Sequence, residues 1–446
     1  MKWETRRHAR VKTTTGYIWL LAVMVPNTAF PGPTFEGLGD LPGGFCESEA
    51  WGISEDGITV AGWSWSGDPD LGDGPLGFEA MRWDRDTGIQ GLGGLPGRPD
   101  SRALDVAASG TVVVGWARWA NNTSESRAFR WTDVEGMTDL GVFSSDVGFS
   151  IAAAVSSDGN TVVGWAREGT SGVWQAFRWR HSTGMQHLTG MPSSPASVAS
   201  DISADSNVIV GRVGNEPYRW TEDLGPEFLG VIDDVFAETR EGVFVSGDGS
   251  TIVGSAVEAG TIEPRIGFRW TRAEGFVLLP LPSFARGVHP QAVSYDGSVV
   301  VGYTVDDNEY YWVRPFIWDN ATGIRNLKDV LIQEYGLCEV AAWSLGYGRG
   351  VSADGRSIVG AGVNPDGNGE AWLARLPEPG AAILLADLDG DDAVDLDDFL
   401  EPDACLCGPD ATPQSCPPEA FADLDCDGDQ DLADFARFQV EFTGGM

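Results

Sequence analysis

Basic side chains are scarce in this sequence. Its 446 residues include 29 Lys and Arg against 66 Asp and Glu, which gives a formal net charge of −37. A surface of this sign repels the phosphates of nucleic acids and of anionic membranes, so both classes of partner are excluded. Cations are the ligands that this charge favours.

Histidine is rarer still, with four residues at positions 8, 181, 187 and 289. They form no HExxH motif and no pair at metal-binding spacing. The sequence also has no GxSxG nucleophile elbow with triad partners, and no glycine-rich phosphate loop that follows a strand and opens a helix. We therefore predict no catalytic residue and no organic cofactor site.

Apolar runs of membrane-spanning length are missing as well. The run YIWLLAVMV at 17–25 has nine residues, which is too few to cross a bilayer. Basic residues precede it and small residues follow it, an order that predicts a secretory signal over residues 1–29, cut after Ala29. The alternative is a buried strand behind a basic tail. Export would allow the six cysteines to be oxidised.

Two phrases recur in fixed order along the chain. The first, exemplified by VSSDGNTVVG at 155–164, occurs seven times in steps of 53, 49, 47, 43, 48 and 58 residues. Its closing glycines are Gly62, Gly115, Gly164, Gly211, Gly254, Gly302 and Gly360. The second phrase, exemplified by AFRW at 128–131, is matched at Trp83, Trp131, Trp179, Trp220, Trp270, Trp318 and Trp372. Such spacing is typical of a repeat architecture.

Each repeat predicts four short strands. SIAAAVS at 150–156 suits an inner strand near a crowded axis, and Asp158-Gly159 suits a tight hairpin turn. The stretches TVVGW, AFRW and MQHL follow as further strands, and no helical period of 3.6 is present. We predict an all-β fold, a seven-bladed β-propeller over residues 30–377.

The two ends of the repeat region complement each other. The seventh repeat stops at EAWLARLPEPG without a fourth strand, while FEGLGDLPGG at 35–44 matches the fourth-strand phrase GLGGLPG at 91–97. We predict that the N-terminal strand completes the last blade and leaves no open sheet edge at the seam. Cys46 and Cys338 then lie in equivalent loops of neighbouring blades, which predicts a disulfide; the alternative is two free thiols.

The AFRW phrase returns in every repeat, whereas a catalytic constellation is built once, so we interpret the phrase as packing. Its Phe and Trp would fill the space between adjacent blades, and its Arg would pair with a carboxylate of a neighbouring turn, such as the repeated Asp-Gly. Trp63, Trp116 and Trp165 follow the closing glycine in the first three repeats. They predict either packing of larger blades or an aromatic platform for sugar rings.

These phrases resemble the HAF repeats of bacterial extracellular proteins. SRAFRW at 126–131 and WQAFRW at 174–179 carry the resemblance, with Arg127 or Gln175 where the family has His. It covers residues 35–377 and implies a secreted repeat protein, extracellular or at the bacterial cell surface, without implying any catalytic residue.

A different pattern follows a linker at residues 378–386. DLDGDDAVDLDDF at 387–399 and DLDCDGDQDLADF at 423–435 place carboxylates at positions 1, 3, 5, 9 and 12 of a twelve-residue loop, spacing that wraps Ca²⁺. A solvated acidic tail, the alternative, does not explain the shared register. The predicted ligands at two sites, with backbone carbonyls at position 7, are Asp387, Asp389, Asp391, Ala393, Asp395, Asp398, Asp423, Asp425, Asp427, Asp429, Asp431 and Asp434.

Paired EF-hand-type loops with Asp at position 12 make residues 387–446 similar to dockerin modules, small α-helical calcium-loop domains. Asp392 stands where Gly is expected at position 6, and Leu396-Asp397 and Leu432-Ala433 replace the hydroxyl pairs of cohesin-binding dockerins. The four cysteines between and within the loops predict two disulfides with three possible pairings: Cys405, Cys407, Cys416 and Cys426.

Two function classes follow from these observations. The first is a non-enzymatic binding or adhesion protein, whose propeller binds an extracellular glycan or protein and whose calcium module docks to a cell surface or scaffold. The second is an extracellular carbohydrate-active hydrolase or lyase built on the propeller. The classes differ in whether non-repeated acids and bases meet at one mouth of the channel.

Overall fold

The computed structural model describes residues 32–67, 77–119, 126–143, 148–169, 172–230, 235–236, 242–258, 265–306 and 313–378. The predicted signal segment and the predicted calcium module lie outside these residues. Within the described residues the chain forms seven antiparallel blades around one axis, which confirms the all-β seven-bladed propeller. Each first strand, taken as β19 in blade 5, contacts the first strands of both neighbouring blades, so the ring is closed.

The strand bounds follow the chain. The first strand, β1 (Thr34–Gly37), belongs to blade 7. Blade 1 has β2 (Gly43–Ile53), β3 (Thr59–Ser66), β4 (Gly77–Asp84) and β5 (Gly88–Gly91). Blade 2 has β6 (Asp100–Val106), β7 (Val112–Arg118), β8 (Ser126–Thr132) and β9 (Gly136–Asp139). Blade 3 has β10 (Gly148–Val155), β11 (Thr161–Glu168), β12 (Gln175–Arg180) and β13 (Gly184–His187).

Blade 4 has β14 (Ser197–Ile202), β15 (Ile209–Val213), β16 (Glu216–Thr221) and β17 (Gly225–Phe228). Blade 5 has β18 (Val235–Phe236), β19 (Val243–Val245), β20 (Thr251–Glu258), β21 (Arg265–Thr271) and β22 (Gly275–Leu278). Blade 6 has β23 (Ala285–Val293), β24 (Val299–Asp306), β25 (Val313–Asp319) and β26 (Gly323–Asn326). Blade 7 has β27 (Ser344–Val351), β28 (Ser357–Val363) and β29 (Gly369–Arg375), completed by β1.

The seam between the chain ends is closed as the sequence predicts. Strand β1 pairs antiparallel with β29, in a register that sets Thr34 opposite Arg375 and Gly37 opposite Trp372. The ring of Phe35 lies 5.2 Å from that of Trp343 in a T-shaped contact and 6.1 Å from that of Trp372. Strand β1, called the clasp strand, therefore contributes both backbone hydrogen bonds and the aromatic contacts of Phe35 to blade 7.

The repeated Ser-x-Asp-Gly turn joins the first two strands of most blades. In blade 3, Ser156 Oγ donates to Asp158 Oδ1 at 2.6 Å and accepts from the backbone N–H of Thr161 at 3.1 Å. Asp158 Oδ1 also accepts from the N–H of Asn160 at 3.0 Å. Gly159 has φ 70°, the left-handed conformation that the turn requires. The end of the propeller that carries these turns is called the turn face below.

The aromatic residues of the AFRW phrase pack between adjacent blades, as expected. Phe129 and Trp131 of blade 2 share one buried cluster with Ala61, Ala80 and Leu92 of blade 1. Phe177 of blade 3 likewise packs with residues of blade 2. The phrase is therefore part of the core.

The arginine of the phrase also reaches the neighbouring blade. Arg178 forms an ion pair with Glu222 in the outer turn of blade 4, at 2.9 Å. Arg130 instead donates from Nε to the carbonyl oxygen of Gly159 in the next turn, at 3.2 Å. The expected pairing with the Asp-Gly carboxylate is wrong at Arg130, because Asp158 already accepts from its own turn.

The match of Trp372 to the repeated tryptophan is also wrong. Trp372 pairs with the closing glycine Gly360, which is the position that Phe129 holds opposite Gly115. Ala374 occupies the tryptophan position of blade 7. Trp372 is fully buried and packs against Phe35, so blade 7 has its large aromatic two residues earlier than expected.

The connection from blade 6 to blade 7 is helical. It comprises α1 (Leu327–Asp329), a π-helical turn at Val330–Glu334 and a 3₁₀ turn at Cys338–Ala342. No helix in the described part of the chain is long and apolar enough to span a membrane.

This helical connection overturns the disulfide predicted between Cys46 and Cys338. Cys46 is a free, exposed thiol, whereas Cys338 is disulfide-bonded. Leu331 and Val340 anchor the connection in the core cluster of blades 6 and 7, so its path differs from that of the other blade connections. Equivalence of loops, on which the prediction depended, therefore does not hold here.

Candidate ligand-binding channel

The inner strands surround a cavity of about 510 Å³ on the propeller axis. Its wall combines small and branched apolar residues with five charged side chains: Glu55, Asp105, Asp201, Arg212 and Arg349. Aromatic lining residues are Trp51, Trp165, Trp174 and Phe244. An apolar wall with a few convergent polar groups is the usual composition of a small-molecule site.

A belt of backbone hydrogen bonds links successive turns at the turn face. The bonds run from Ala108 N to Ser157 O, Ser157 N to Ala204 O, Ala204 N to Gly247 O, Asp248 N to Tyr295 O, Tyr295 N to Ala353 O and Ala353 N to Glu55 O. In addition, the hydroxyl of Ser157 in blade 3 donates to the carboxylate of Glu55 in blade 1. Turns two blades apart therefore meet, and the channel is constricted at this end.

A repeated β-bulge directs non-repeated side chains into the channel. In blade 2 the register shifts between Ala103 and Asp105, so that Leu104 is the extra residue. Among the described strands, six inner strands carry such a shift at the same place. The extra residues are Trp51, Leu104, Ala153, Ser200, Gln291 and Arg349, and all line the cavity. Bulges commonly re-aim side chains next to binding sites.

Asp105 and Asp201 follow the bulge in blades 2 and 4. Each carboxylate accepts two backbone N–H groups: Asp105 from Val106 and Val155, and Asp201 from Ile202 and Val245, all at 2.8 Å. Burial, together with repulsion from Asp201, raises the pKa of Asp105 to about 7. Burial also raises the pKa of Asp201 to about 7. Both groups therefore titrate near neutral pH.

Arg349 is held flat against aromatic rings. Its guanidinium carbon lies 4.3 Å from the centre of the Trp51 ring and 4.4 Å from that of Tyr347. Its Nη1 donates to Gln291 Oε1 at 3.2 Å. Cation–π stacking of this kind fixes the plane of a guanidinium and leaves its edge available for hydrogen bonds.

Arg212 extends from β15 to the same cavity. Its Nη1 donates to the carbonyl oxygen of Gly214 at 2.7 Å. Burial lowers the pKa of Arg212 from its usual value, although a guanidinium stays charged at physiological pH. The cavity thus contains two guanidinium groups.

The three tryptophans proposed as a sugar platform do not form one surface. Trp63 is 3% exposed and packs edge-on against Phe78, with ring centres 4.7 Å apart, so its role is packing. Trp116 lies beneath Arg102 and Arg118. Trp165 lines the channel together with Trp174. Of the three, the described structure brings Trp165 alone to the cavity.

The twelve predicted calcium ligands and the cysteines of the C-terminal module lie outside the described residues. Within the described ranges, no group of three or more His, Cys, Asp or Glu side chains is placed to hold a metal ion. The calcium sites stay a prediction.

The sequence analysis did not identify the residues that line the channel, although one feature of the repeats marks six of them. In six repeats the bulge residue stands eleven positions before the closing glycine, as Leu104 stands before Gly115 and Arg349 before Gly360. That position holds Trp, Leu, Ala, Ser, Gln and Arg in an otherwise repetitive phrase. A variable position inside a constant backbone is where a repeat protein can vary its binding.

No protein-family model and no curated protein sequence matches the chain. Among solved structures, an oligogalacturonate lyase from Vibrio parahaemolyticus is similar at 10% identity and a TM-score of 0.47, covering 78% of this chain and 98% of that one. Virginiamycin B lyase from Staphylococcus aureus is similar at 13% identity and a TM-score of 0.45, covering 77% and 99%.

TolB from Acinetobacter baumannii is similar at 14% identity and a TM-score of 0.39, covering 72% of this chain and 81% of that one. At such values these likenesses carry no argument about what the channel does. The class that the sheets and channel define is a β-propeller with a central cavity.

Proposed function

We propose that this chain is a secreted, non-enzymatic binding or adhesion protein, whose propeller takes a ligand into its central channel. The observation that carries the proposal is the repeated bulge, which presents a different side chain from each of six blades around a cavity of about 510 Å³. A constant backbone with variable side chains is the arrangement of a recognition surface.

The C-terminal module has the second role in this proposal. Its two calcium loops, similar to those of dockerins, would dock the protein to a cell surface or a scaffold when Ca²⁺ is bound. The repeats, similar to HAF repeats, and the basic-apolar-small order of residues 1–29 support a bacterial extracellular or cell-surface location.

Binding is favoured over catalysis by the bonding of the channel carboxylates. Both oxygens of Asp105 and of Asp201 accept backbone N–H groups, one of them from the next blade in each case. These bonds give the two carboxylates a structural role at the blade junctions. A general base, by contrast, must be free to accept a substrate proton.

One observation favours the alternative, an extracellular carbohydrate-active hydrolase or lyase. Two carboxyl groups with a pKa of about 7 line a cavity that also contains Arg212 and Arg349. Carboxyl groups with such pKa values are suited to acid–base chemistry at neutral pH. The two proposals therefore differ in whether a bound saccharide is converted.

A glycan-array screen of the mature chain, with and without Ca²⁺, followed by a product assay on each glycan that binds, tests both proposals. We expect binding without turnover. Trp165→Ala should weaken binding by about tenfold, the effect of about 1.4 kcal/mol of lost ring contact. Trp119→Ala is the matched control, since Trp119 is 45% exposed and does not line the channel. Turnover would support the enzyme, and no binding of any glycan would contradict the enzyme and leave a protein as the ligand of the proposed binding protein.

A further inference from the structure

The channel arginines differ from those of the propeller surface. The chain has more than twice as many acidic as basic residues, and many arginines outside the channel pair with carboxylates, as Arg314 does with Asp306 at 2.6 Å. Arg212 and Arg349, by contrast, form no ion pair with any residue that the structure describes. Two cations without counter-charges in so acidic a protein make the channel a site for an anion.

The carboxylates that line the cavity do not neutralise these arginines. Asp105 and Asp201 are each held by two backbone N–H groups, and Glu55 accepts from Ser157. Near neutral pH Asp105 and Asp201 are also partly protonated, because burial raises the pKa of each to about 7. Their negative charge is therefore reduced in the cavity that Arg349 also lines.

The geometry of Arg349 suits an oxyanion. A guanidinium carries five N–H donors, and one of those on Arg349 is used by Gln291. The rings of Trp51 and Tyr347 hold its plane, so its remaining donors are pre-organised for a carboxylate or a sulfate.

The rest of the wall suits a saccharide ring better than a small free anion. The cavity is far larger than an inorganic ion, at about 510 Å³. Trp51, Trp165 and Trp174 supply aromatic surface, with Arg349 over one face of Trp51 and Arg167 over one face of Trp174. Ser200 and Gln291 supply hydroxyl and amide groups. Aromatic faces beside neutral hydrogen-bonding groups complement a ring that has both C–H faces and hydroxyls.

We infer that the channel binds an acidic saccharide, whose carboxylate or sulfate is held by Arg349 and whose ring stacks on the channel tryptophans, with Arg212 as a second cation in the same cavity. This inference rests on the proposed binding function and narrows it to one ligand class.

The test compares three probes on the full mature chain at fixed ionic strength: a uronate-containing oligosaccharide, the same oligosaccharide after reduction of its carboxyl groups, and a sulfated oligosaccharide of equal length. We expect the uronate or the sulfated probe to bind at least about tenfold more tightly than the carboxyl-reduced probe, as loss of a charge-assisted hydrogen bond predicts. Arg349→Gln should abolish this discrimination. Arg314→Gln, which removes a surface guanidinium, should keep it.

The ligand-side comparison does not depend on any variant folding. Equal affinity for all three probes would overturn the inference and leave the proposed function standing. An acidic peptide serves as a fourth probe, and its binding without binding of either acidic saccharide would also overturn the inference. No binding of any saccharide or of the acidic peptide would contradict the proposed function itself.

Discussion

The carboxylate of Asp105 in blade 2 accepts a hydrogen bond from the backbone N–H of Val155 in blade 3, at 2.8 Å. Asp201 makes the same contact from blade 4 to Val245 in blade 5. At the equivalent position, other blades have residues that cannot accept from the next blade: Gly52, Ala154, Phe244, Ala292 and Gly350. Two blade junctions are thus each held by a hydrogen bond to a carboxyl group that titrates near pH 7.

The stability of the propeller should depend on pH through these two groups. Each pKa is raised from 3.8 to about 7, so the native state binds more protons than the unfolded state between these values. The stabilising contribution is complete below about pH 3.8 and is lost as pH rises through about 7. The difference in thermal midpoint between the wild type and the Asp105→Asn/Asp201→Asn double variant should therefore decrease as the pH is raised from 5 to 8.

Asp158 provides the control with the opposite sign. Although burial opposes the change, hydrogen bonds from Ser156 and Asn160 lower the pKa of Asp158 below 3.8. The contribution of Asp158 is therefore lost as pH falls through the acid range, and the comparison of wild type with Asp158→Asn should be flat between pH 5 and 8. A constant difference between wild type and the double variant over this interval would contradict the assignment.

Replacement of one side chain of the clasp strand β1 should lower the free energy of unfolding strongly. Phe35→Ala should lower the free energy of unfolding by about 3 kcal/mol, since it removes a buried ring between Trp343 and Trp372. Phe45→Ala, at a position 58% exposed, should cost less than about 1 kcal/mol. Deletion of residues 30–44 should open the ring altogether and lower the thermal midpoint strongly. Denaturant titration of both point variants makes the comparison, and equal losses would argue against an anchoring role for β1.

The cysteine assignments can be read by mass spectrometry. Cys46 should react with iodoacetamide in the native, unreduced protein, because its thiol is free and exposed. Cys338 should be labelled after reduction alone, since it is disulfide-bonded. Recovery of a Cys46–Cys338 peptide under non-reducing conditions would restore the pairing that the structure contradicts.

The blades could be predicted because the residues that form each turn are close together in the sequence and recur in most repeats. Ser156, Asp158 and Gly159 form a turn whose hydrogen bonds lie within six residues, so its residue types recur wherever the turn recurs. The clasp was predictable for a similar reason, since residues 35–44 repeat a fourth-strand phrase. Because the same turn follows most inner strands, the positions of these strands could also be predicted.

The channel was not predictable, because no local residue type marks it. A bulge adds one residue to a strand and its register appears only when the partner strand is known, as between Ala103 and Asp105. Trp372 and Cys338 were misplaced by the same kind of non-local effect. Trp372 fills the space beside the clasp residue Phe35, and Cys338 lies in a helical connection that the other blades do not share.

The last prediction concerns calcium binding by residues 387–446. Ten carboxylates stand at the predicted ligand positions of two loops, and without a cation they would repel one another. We expect the full mature chain to bind two Ca²⁺ ions by calorimetry, with dissociation constants of about 10⁻⁴ to 10⁻³ M or tighter. Binding should also protect the module from protease, because in such modules the binding energy is folding energy.

Paired substitutions separate the two sites. Asp423→Ala with Asp427→Ala should remove one bound Ca²⁺ and leave one, and Asp387→Ala with Asp391→Ala should do the same for the first loop. The control is Asp133→Ala with Asp366→Ala, which removes two exposed propeller carboxylates and should leave both ions bound. Since extracellular calcium is millimolar, absence of heat at that concentration would reduce the module to an acidic spacer and remove the calcium-dependent half of the proposed function.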